Sequence, residues 1–137
     1  MSRFVLLRHD CPDGSWHYDW MIERQDPDRD PDRPLMTFRT TVGPTDARSF
    51  QAERIDDHRS VYLAFEGDLT GGRGSVTRIV GGEARLMVCK ETEIRIDIEQ
   101  PRLIHIRGRS CDGRVWAFVH VDHPASEGRL GKFDKSV

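Results

Sequence analysis

Two side-chain types that commonly bind transition metals lie close together near the start of the chain. In His17-Tyr18-Asp19, an imidazole and a carboxylate are two positions apart. On a β-strand, residues i and i+2 point to the same face, so these side chains would project side by side from backbones about 6.5–7 Å apart. That span allows both to bind one metal ion. An isolated His-x-Asp triplet is equally typical of a hydrogen-bonded pair or of a solvated strand face.

His9 strengthens the metal interpretation because it closes the preceding apolar run. The short loop of residues 10–15 could return the chain and place His9 beside His17. Two imidazoles and a carboxylate suit Mn²⁺, Fe²⁺ or Zn²⁺ better than Ca²⁺ or Mg²⁺. We therefore predict that His9, His17 and Asp19 bind a divalent metal. Cys11 lies inside the same loop and is a candidate thiolate ligand, but it stays outside the predicted set because the other groups are better placed.

A second polar group follows further along the chain, where a polar turn delivers His58 and, four residues later, Tyr62. An imidazolium and a phenol can both donate hydrogen bonds to a phosphoryl oxygen. On its own, this pattern is also that of an ordinary turn and an ordinary strand residue. The glycine-rich residues 66–74 lack the Gly-Lys-Ser/Thr of a P-loop and favour turns, although Arg73 among them could reach a phosphate.

Composition places few limits on these sites. The chain has 137 residues and a formal charge of −2, which favours one domain and leaves any positive patch local. No apolar run approaches the roughly 18 residues of a membrane-spanning helix, so no membrane association is expected. Cys11, Cys89 and Cys111 form no CxxC pair and no disulfide framework. A cytoplasmic monomer is the expectation from these features.

The elements that must position these side chains have the alternating pattern of half-buried strands. Strands are predicted at residues 3–9, 16–23, 35–41, 50–55, 61–65, 75–80, 84–89, 93–99, 102–107 and 115–121, with turns at Gly71-Gly72 and Gly81-Gly82. So many short strands predict an all-β fold, a compact antiparallel β-barrel with at most one or two short helical turns. Residues 1–121 would form this domain, and residues 122–137 a flexible polar tail.

The order of these motifs resembles the 3′-phosphoesterase domain of the bacterial multifunctional DNA ligase known as ligase D. That family has a strand ending in His, then His-Tyr-Asp-Phe-Arg-Leu-Glu, Leu-x-Ser-Trp-Ala with a following Gly-Pro, and Glu-Asp-His-Pro-x-x-Tyr-x-x-Phe-Glu-Gly. The counterparts here are residues 4–9, 17–23, 35–39 with Gly43-Pro44, and 56–67. A glycine-rich hairpin and a closing Gly-x-Trp strand correspond to residues 71–74 and 113–116. The likeness is collinear from residue 3 to about residue 121.

The resemblance implies a fold, an activity and roles for individual residues. The family has a compact β-barrel. It removes a 3′-terminal ribonucleoside and then the remaining 3′-phosphate, so that a ligase or end-joining partner can seal the DNA or the RNA/DNA primer–template. His9, His17 and Asp19 would bind Mn²⁺, and His58 and Tyr62 would contact the phosphate.

One departure bears on catalysis. The family has an arginine at the position of Met21, and a methionine cannot stabilise transition-state charge. We predict that Arg39 or Arg73 takes over this role, with Arg39, His58 and Tyr62 as catalytic residues and Arg73 as a further substrate contact. The alternative is an impaired relative that binds nucleic-acid ends or a repair partner without turnover.

A third interpretation is a non-haem iron oxygenase, since His-x-Asp with a distant His is the facial-triad pattern. His105 or His120 would supply the third ligand. The chain is short for such an enzyme, and both histidines, like His123, are more typical of structural roles.

Overall fold

The computed structural model describes residues 1–99 and 102–122 and confirms the all-β prediction. The nine strands are β1 Ser2–Asp10, β2 Trp16–Glu23, β3 Leu35–Thr40, β4 Ser49–His58, β5 Gly67–Asp68, β6 Ser75–Cys89, β7 Glu93–Ile98, β8 Ile104–Ser110 and β9 Val115–Val121. Two short 3₁₀ helices, Ser60–Leu63 and Thr70–Gly72, flank β5. The predicted tail lies, apart from Asp122, outside the described residues. No helix in the described part of the chain is long and apolar enough to cross a bilayer.

All nine strands belong to one antiparallel sheet. Its order is β1-β2-β3-β4-β9-β8-β7-β6-β5, and β1 also pairs with β6, so eight strands close into a ring. Closure removes the unpaired edges that an open sheet of this size would present. The ring therefore agrees with the predicted compact barrel.

The ring encloses the larger of two apolar cores. Every one of its eight strands contributes inward-facing residues, and the aromatic members contact one another. Trp20 lies 5.3 Å from Phe118 between ring centroids, and Phe38 lies 5.1 Å from Phe118. Such edge-to-face contacts add to the burial of apolar area that stabilises the fold.

A second, smaller core lies on the outer face of β1, β2 and β3. We call it the outer core; its buried members are Val5, Leu7, Met21, Leu35, Leu63 and Val76. Residues 59–74, here called the cover segment, pack over it through Tyr62, Leu63 and Leu69. Both faces of β1 and β2 are therefore buried in the middle of these strands, which explains the consecutive apolar residues 4–7 and 20–22.

One strand prediction and one turn prediction are wrong. Residues 61–65, predicted as a strand, begin with a 3₁₀ helix because Leu63 turns inward to cover the outer core. Gly81-Gly82, predicted as a turn, lies inside the continuous strand β6, whose first half pairs with β1 and whose second half pairs with β7. At Gly81 a Cβ atom would lie 3.0 Å from the Phe4 carbonyl oxygen. The glycine therefore allows β6 to lie close to β1.

Candidate metal centre and adjoining cleft

The β1–β2 hairpin brings the first group of predicted residues together. His9 and His17 are direct cross-strand partners, and their ring centroids are 4.9 Å apart. Asp19 lies opposite Leu7, on the same outer face. The loop after β1 is closed by a hydrogen bond from the Cys11 amide to the Ser15 carbonyl. The prediction that this loop returns the chain beside His9 is confirmed.

The polar atoms of this group face one another without ordinary partners. His17 Nε2 lies 3.2 Å from Asp19 Oδ1, yet both atoms are shielded from solvent and neither makes a hydrogen bond within the described residues. Asp19 is only 5% exposed. Its Oδ2 lies 3.9 Å from His9 Nδ1. Buried polar atoms without partners are costly, and a cation between them would satisfy all of them.

A backbone carbonyl fixes the orientation of the His9 ring. His9 Nε2 lies 2.8 Å from the carbonyl oxygen of Arg73. Because a carbonyl only accepts, Nε2 carries the proton, and Nδ1 is the ring nitrogen that faces Asp19. Metal-binding histidines are typically held in this way by a carbonyl on the second ring nitrogen.

Cys11 belongs to the same cluster. One ligand atom from each of His9, Cys11 and His17 can be chosen so that all three lie within 4.8 Å of one another. Cys11 comes directly after β1, at the start of the loop that leads to β2. These three residues could hold a metal ion, with Asp19 at their side; we call the four residues the metal cluster.

The charge state of His17 suits ligation. Burial lowers the pKa of its imidazole below the ordinary value, and the Arg39 guanidinium and the His9 ring act in the same direction. The Asp19 carboxylate opposes them without reversing the shift. The neutral imidazole, the form that binds metals, is therefore favoured at neutral pH.

A cleft of about 610 Å³ contains the remaining predicted residues. Its lining includes four arginines and two aspartates, together with His58 and Tyr62. One of the aspartates, Asp57, already forms an ion pair with Arg54 at 2.8 Å. The arginines therefore outweigh the free acidic charge, and this cleft supplies the local positive patch that the overall charge of the chain does not.

Within the cleft, His58 and Tyr62 are neighbours with ring centroids 5.5 Å apart. The Nδ1 of His58 donates a hydrogen bond of 2.7 Å to the Asp56 carbonyl, which leaves Nε2 for another partner. Arg73 is held by Thr70, whose carbonyl accepts from Nε at 2.8 Å. These local bonds orient the side chains before any ligand arrives, which lowers the cost of binding one.

Two connections join the cleft to the metal cluster. Arg39 lines the cleft and pairs in register with Asp19 across β2 and β3. No hydrogen bond or ion pair to a described residue engages its guanidinium. Arg73 lines the cleft with its side chain while its carbonyl binds His9. All the predicted site residues therefore lie in one continuous region of the outer face.

The chain matches no protein-family model and no curated protein sequence. The likeness to the ligase D phosphoesterase domain therefore rests on the order and spacing of its motifs. Arg33 and Arg59 also line the cleft, although no sequence pattern singled them out. Their approach depends on how the loop after β2 and the cover segment pack, which has no signature in local residue spacing.

The other described histidines are occupied elsewhere. His105 Nδ1 lies 2.7 Å from Asp97 Oδ1, and His120 Nε2 donates to the Pro44 carbonyl at 2.7 Å. They lie on β8 and β9, on the far side of the ring from β1 and β2. Neither belongs to the described cluster of possible metal ligands, so the facial triad expected for an iron oxygenase is not assembled.

Proposed function

We propose that the protein is a metal-dependent phosphoesterase that removes 3′-phosphates or 3′-ribonucleosides from DNA or RNA/DNA primer–template ends. The observation that carries the proposal is the position of Arg39, which lines the arginine-rich cleft and pairs in register with Asp19 of the metal cluster. An anion bound to Arg39 would lie beside a metal held by His9 and His17. The ligase D resemblance supplies the 3′ end as substrate and Mn²⁺ as metal.

The side chains divide the chemistry between them. A bound metal would polarise a phosphoryl oxygen and lower the pKa of a water molecule that attacks phosphorus. Arg39 and Arg73 bind the phosphoryl oxygens and stabilise the charge that develops on them. Tyr62 donates a hydrogen bond to the same group. In its imidazolium form, His58 would give the Nε2 proton to the leaving 3′ oxygen as the phosphorus–oxygen bond breaks and would keep the Nδ1 proton, which yields inorganic phosphate, a 3′-OH and a neutral imidazole.

Phosphate release from a 3′-phosphate-terminated primer–template tests the proposal, with Mn²⁺ and Zn²⁺ assayed in parallel. We expect release that requires metal, with Arg39→Ala lowering kcat about 100-fold or more, as loss of one preorganised charge-stabilising group does. His17→Ala should abolish metal-dependent release. The matched control is His105→Ala, on the far side of the ring, which should retain activity. No release by the wild-type protein with either metal, or equal release by His17→Ala, would overturn the proposal.

Met21 favours a second candidate function. This residue, at the position of the family's arginine, is 1% exposed and buried in the outer core. A protein without that arginine could bind 3′ ends, or a repair partner, without turnover. Metal-dependent binding of the same primer–template with no phosphate release would support this function, and release at multiple turnovers would exclude it.

The cellular setting follows from the proposed activity. A 3′-OH is the group that a DNA ligase needs, so a ligase or another end-joining protein is the proposed partner. The proposed location is the cytoplasm, where the three cysteines would remain reduced, and the proposed state is a monomer.

A further inference from the structure

The position of Cys11 has a consequence for metal selection. A site of two imidazoles and one carboxylate accepts Mn²⁺, Fe²⁺ and Zn²⁺ alike, whereas a thiolate is a soft ligand that favours zinc over manganese. The described structure brings the Cys11 sulfur into the same group as His9 and His17. The proposed function, through the resemblance, implies only His9, His17 and Asp19.

We propose that Cys11 is a metal ligand and that the cluster is a Cys-His₂-Asp site selective for Zn²⁺ over Mn²⁺. This inference rests on the metal site of the proposed function and deepens it, because it adds a fourth ligand and replaces Mn²⁺, the metal implied by the resemblance, with Zn²⁺. The sequence offers Cys11 only as a further candidate in the loop, and the assignment comes from the position of its sulfur beside the two imidazoles.

Backbone packing places Cys11 in the cluster. Residue 11 follows His9 by two positions. Its backbone N–H donates a hydrogen bond to the Ser15 carbonyl, which closes the loop. Gly74 packs directly against this loop, since a Cβ atom there would lie 3.2 Å from the Cys11 Cα. The loop backbone is thus held on two sides, which keeps the Cys11 Cα beside the two imidazoles.

The donor set fits Zn²⁺, which accepts four protein ligands and can expand to five-coordination when a water molecule or a phosphoryl oxygen binds. Ligand atoms around one Zn²⁺ lie about 3.4–3.6 Å apart, given bonds of about 2.0–2.3 Å. The three atoms of His9, Cys11 and His17 lie within 4.8 Å of one another, so small side-chain rotations bring them to these distances. Asp19 supplies the second, independent observation. Its Oδ1 is buried beside His17 Nε2, and both atoms lack a described hydrogen-bond partner.

Cobalt spectroscopy of the full chain tests the assignment without any nucleic acid. Co²⁺ replaces Zn²⁺ in such sites, and a cysteine ligand gives a thiolate-to-cobalt charge-transfer band in the near ultraviolet. We expect this band in the wild-type protein and in the matched controls Cys89→Ser and Cys111→Ser, and its loss in Cys11→Ser. Circular dichroism of each metal-free variant verifies that it is folded.

Zn²⁺ and Mn²⁺ titrations measure the selectivity. Cys11→Ser should weaken Zn²⁺ binding roughly a hundredfold and change Mn²⁺ binding far less, because the lost ligand is soft. Bound cobalt without a charge-transfer band in the wild-type protein, or equal Zn²⁺ affinity in folded Cys11→Ser, would overturn the inference.

The two proposals can fail separately. A cysteine–cobalt band without phosphate release would support the zinc site and exclude the phosphoesterase activity. Metal-dependent phosphate release without a cysteine–cobalt band would support the activity and exclude Cys11 as a ligand.

Discussion

Met21 shows how strongly burial constrains a single residue in this protein. It lies on the same face of β2 as His17 and Asp19, so alternation alone would place it in the site. It is nevertheless 1% exposed and packs in the outer core with Leu7 and Leu63. An arginine here would have to bring a guanidinium into that apolar contact or displace the cover segment. In the proposed function, the positive charge would therefore come from a neighbouring strand, where Arg39 lies.

Restoring the family's arginine should destabilise the fold. We predict that Met21→Arg lowers the free energy of unfolding by about 3–5 kcal/mol, because an unpaired charge would be buried. Urea denaturation measures the change, and Met21→Leu, which conserves volume, should cost less than about 1.5 kcal/mol. Wild-type stability in Met21→Arg would contradict the prediction and would show that the outer core admits a charge.

At the scale of elements, the cover segment determines whether the site exists. The β1–β2 hairpin supplies His9, Cys11, His17 and Asp19, but their environment comes from residues 59–74. This segment provides the carbonyl that orients His9, and its first 3₁₀ helix carries Tyr62 into the cleft. Its last glycine, Gly74, makes the closest approach to the hairpin.

Gly74 should therefore be intolerant of any side chain. Its φ is +95°, and a Cβ atom would lie 2.0 Å from the Asp10 carbonyl oxygen. We predict that Gly74→Ala lowers the free energy of unfolding by about 3 kcal/mol or more, from backbone strain and the clash together. Because the hairpin must shift, Zn²⁺ binding should weaken in the protein that remains folded.

Gly72 provides the matched control. Its φ is +67°, but no atom lies within 4 Å of the added Cβ. Gly72→Ala should cost only about 1–2 kcal/mol, the strain of a left-handed residue, and should leave Zn²⁺ binding unchanged. Equal effects of the two substitutions, by thermal unfolding and metal titration, would mean that Gly74 acts through its backbone angle alone.

At the scale of the whole molecule, ring closure makes the inner core continuous. The β1–β6 pairing joins the first and the eighth strand of the order, so residues far apart in the chain pack against one another. Gly108 of β8 illustrates how tightly the interior is filled. A Cβ atom there would lie 2.3 Å from the ring of its cross-strand partner Phe118.

Gly108 and Phe118 should be energetically coupled. We predict that Gly108→Ala lowers the free energy of unfolding by about 1–3 kcal/mol through overpacking. In the double variant with Phe118→Leu, the smaller side chain makes room, so the loss should be less than the sum of the two single losses. A double-mutant cycle by urea denaturation measures this coupling. Strict additivity would show that the Phe118 side chain does not restrict the size of the side chain at residue 108.

Much of this protein follows from residue patterns within a few positions of one another. Alternation predicts most of the strands and the all-β class, because a half-buried strand must separate apolar from polar side chains. The hairpin that pairs His9 with His17 is equally local, since a short loop leaves few ways for the chain to return. The neighbouring positions of His58 and Tyr62 could also be predicted from the chain.

Long-range packing decided the rest. The 3₁₀ helix at residues 60–63 replaces a predicted strand because the outer core needs Leu63 as a cover, and that core is built from strands far away in sequence. The unbroken β6 has the same origin, since it must pair with β1 and β7 in turn. The sequence names Cys11 and Arg39 as candidates, but only the closed loop places Cys11 within reach of both imidazoles, and only the pairing of β2 with β3 places Arg39 opposite Asp19. The His-Tyr-Asp segment of the hairpin thus indicates where a metal could bind, while the fold determines which further side chains lie beside it.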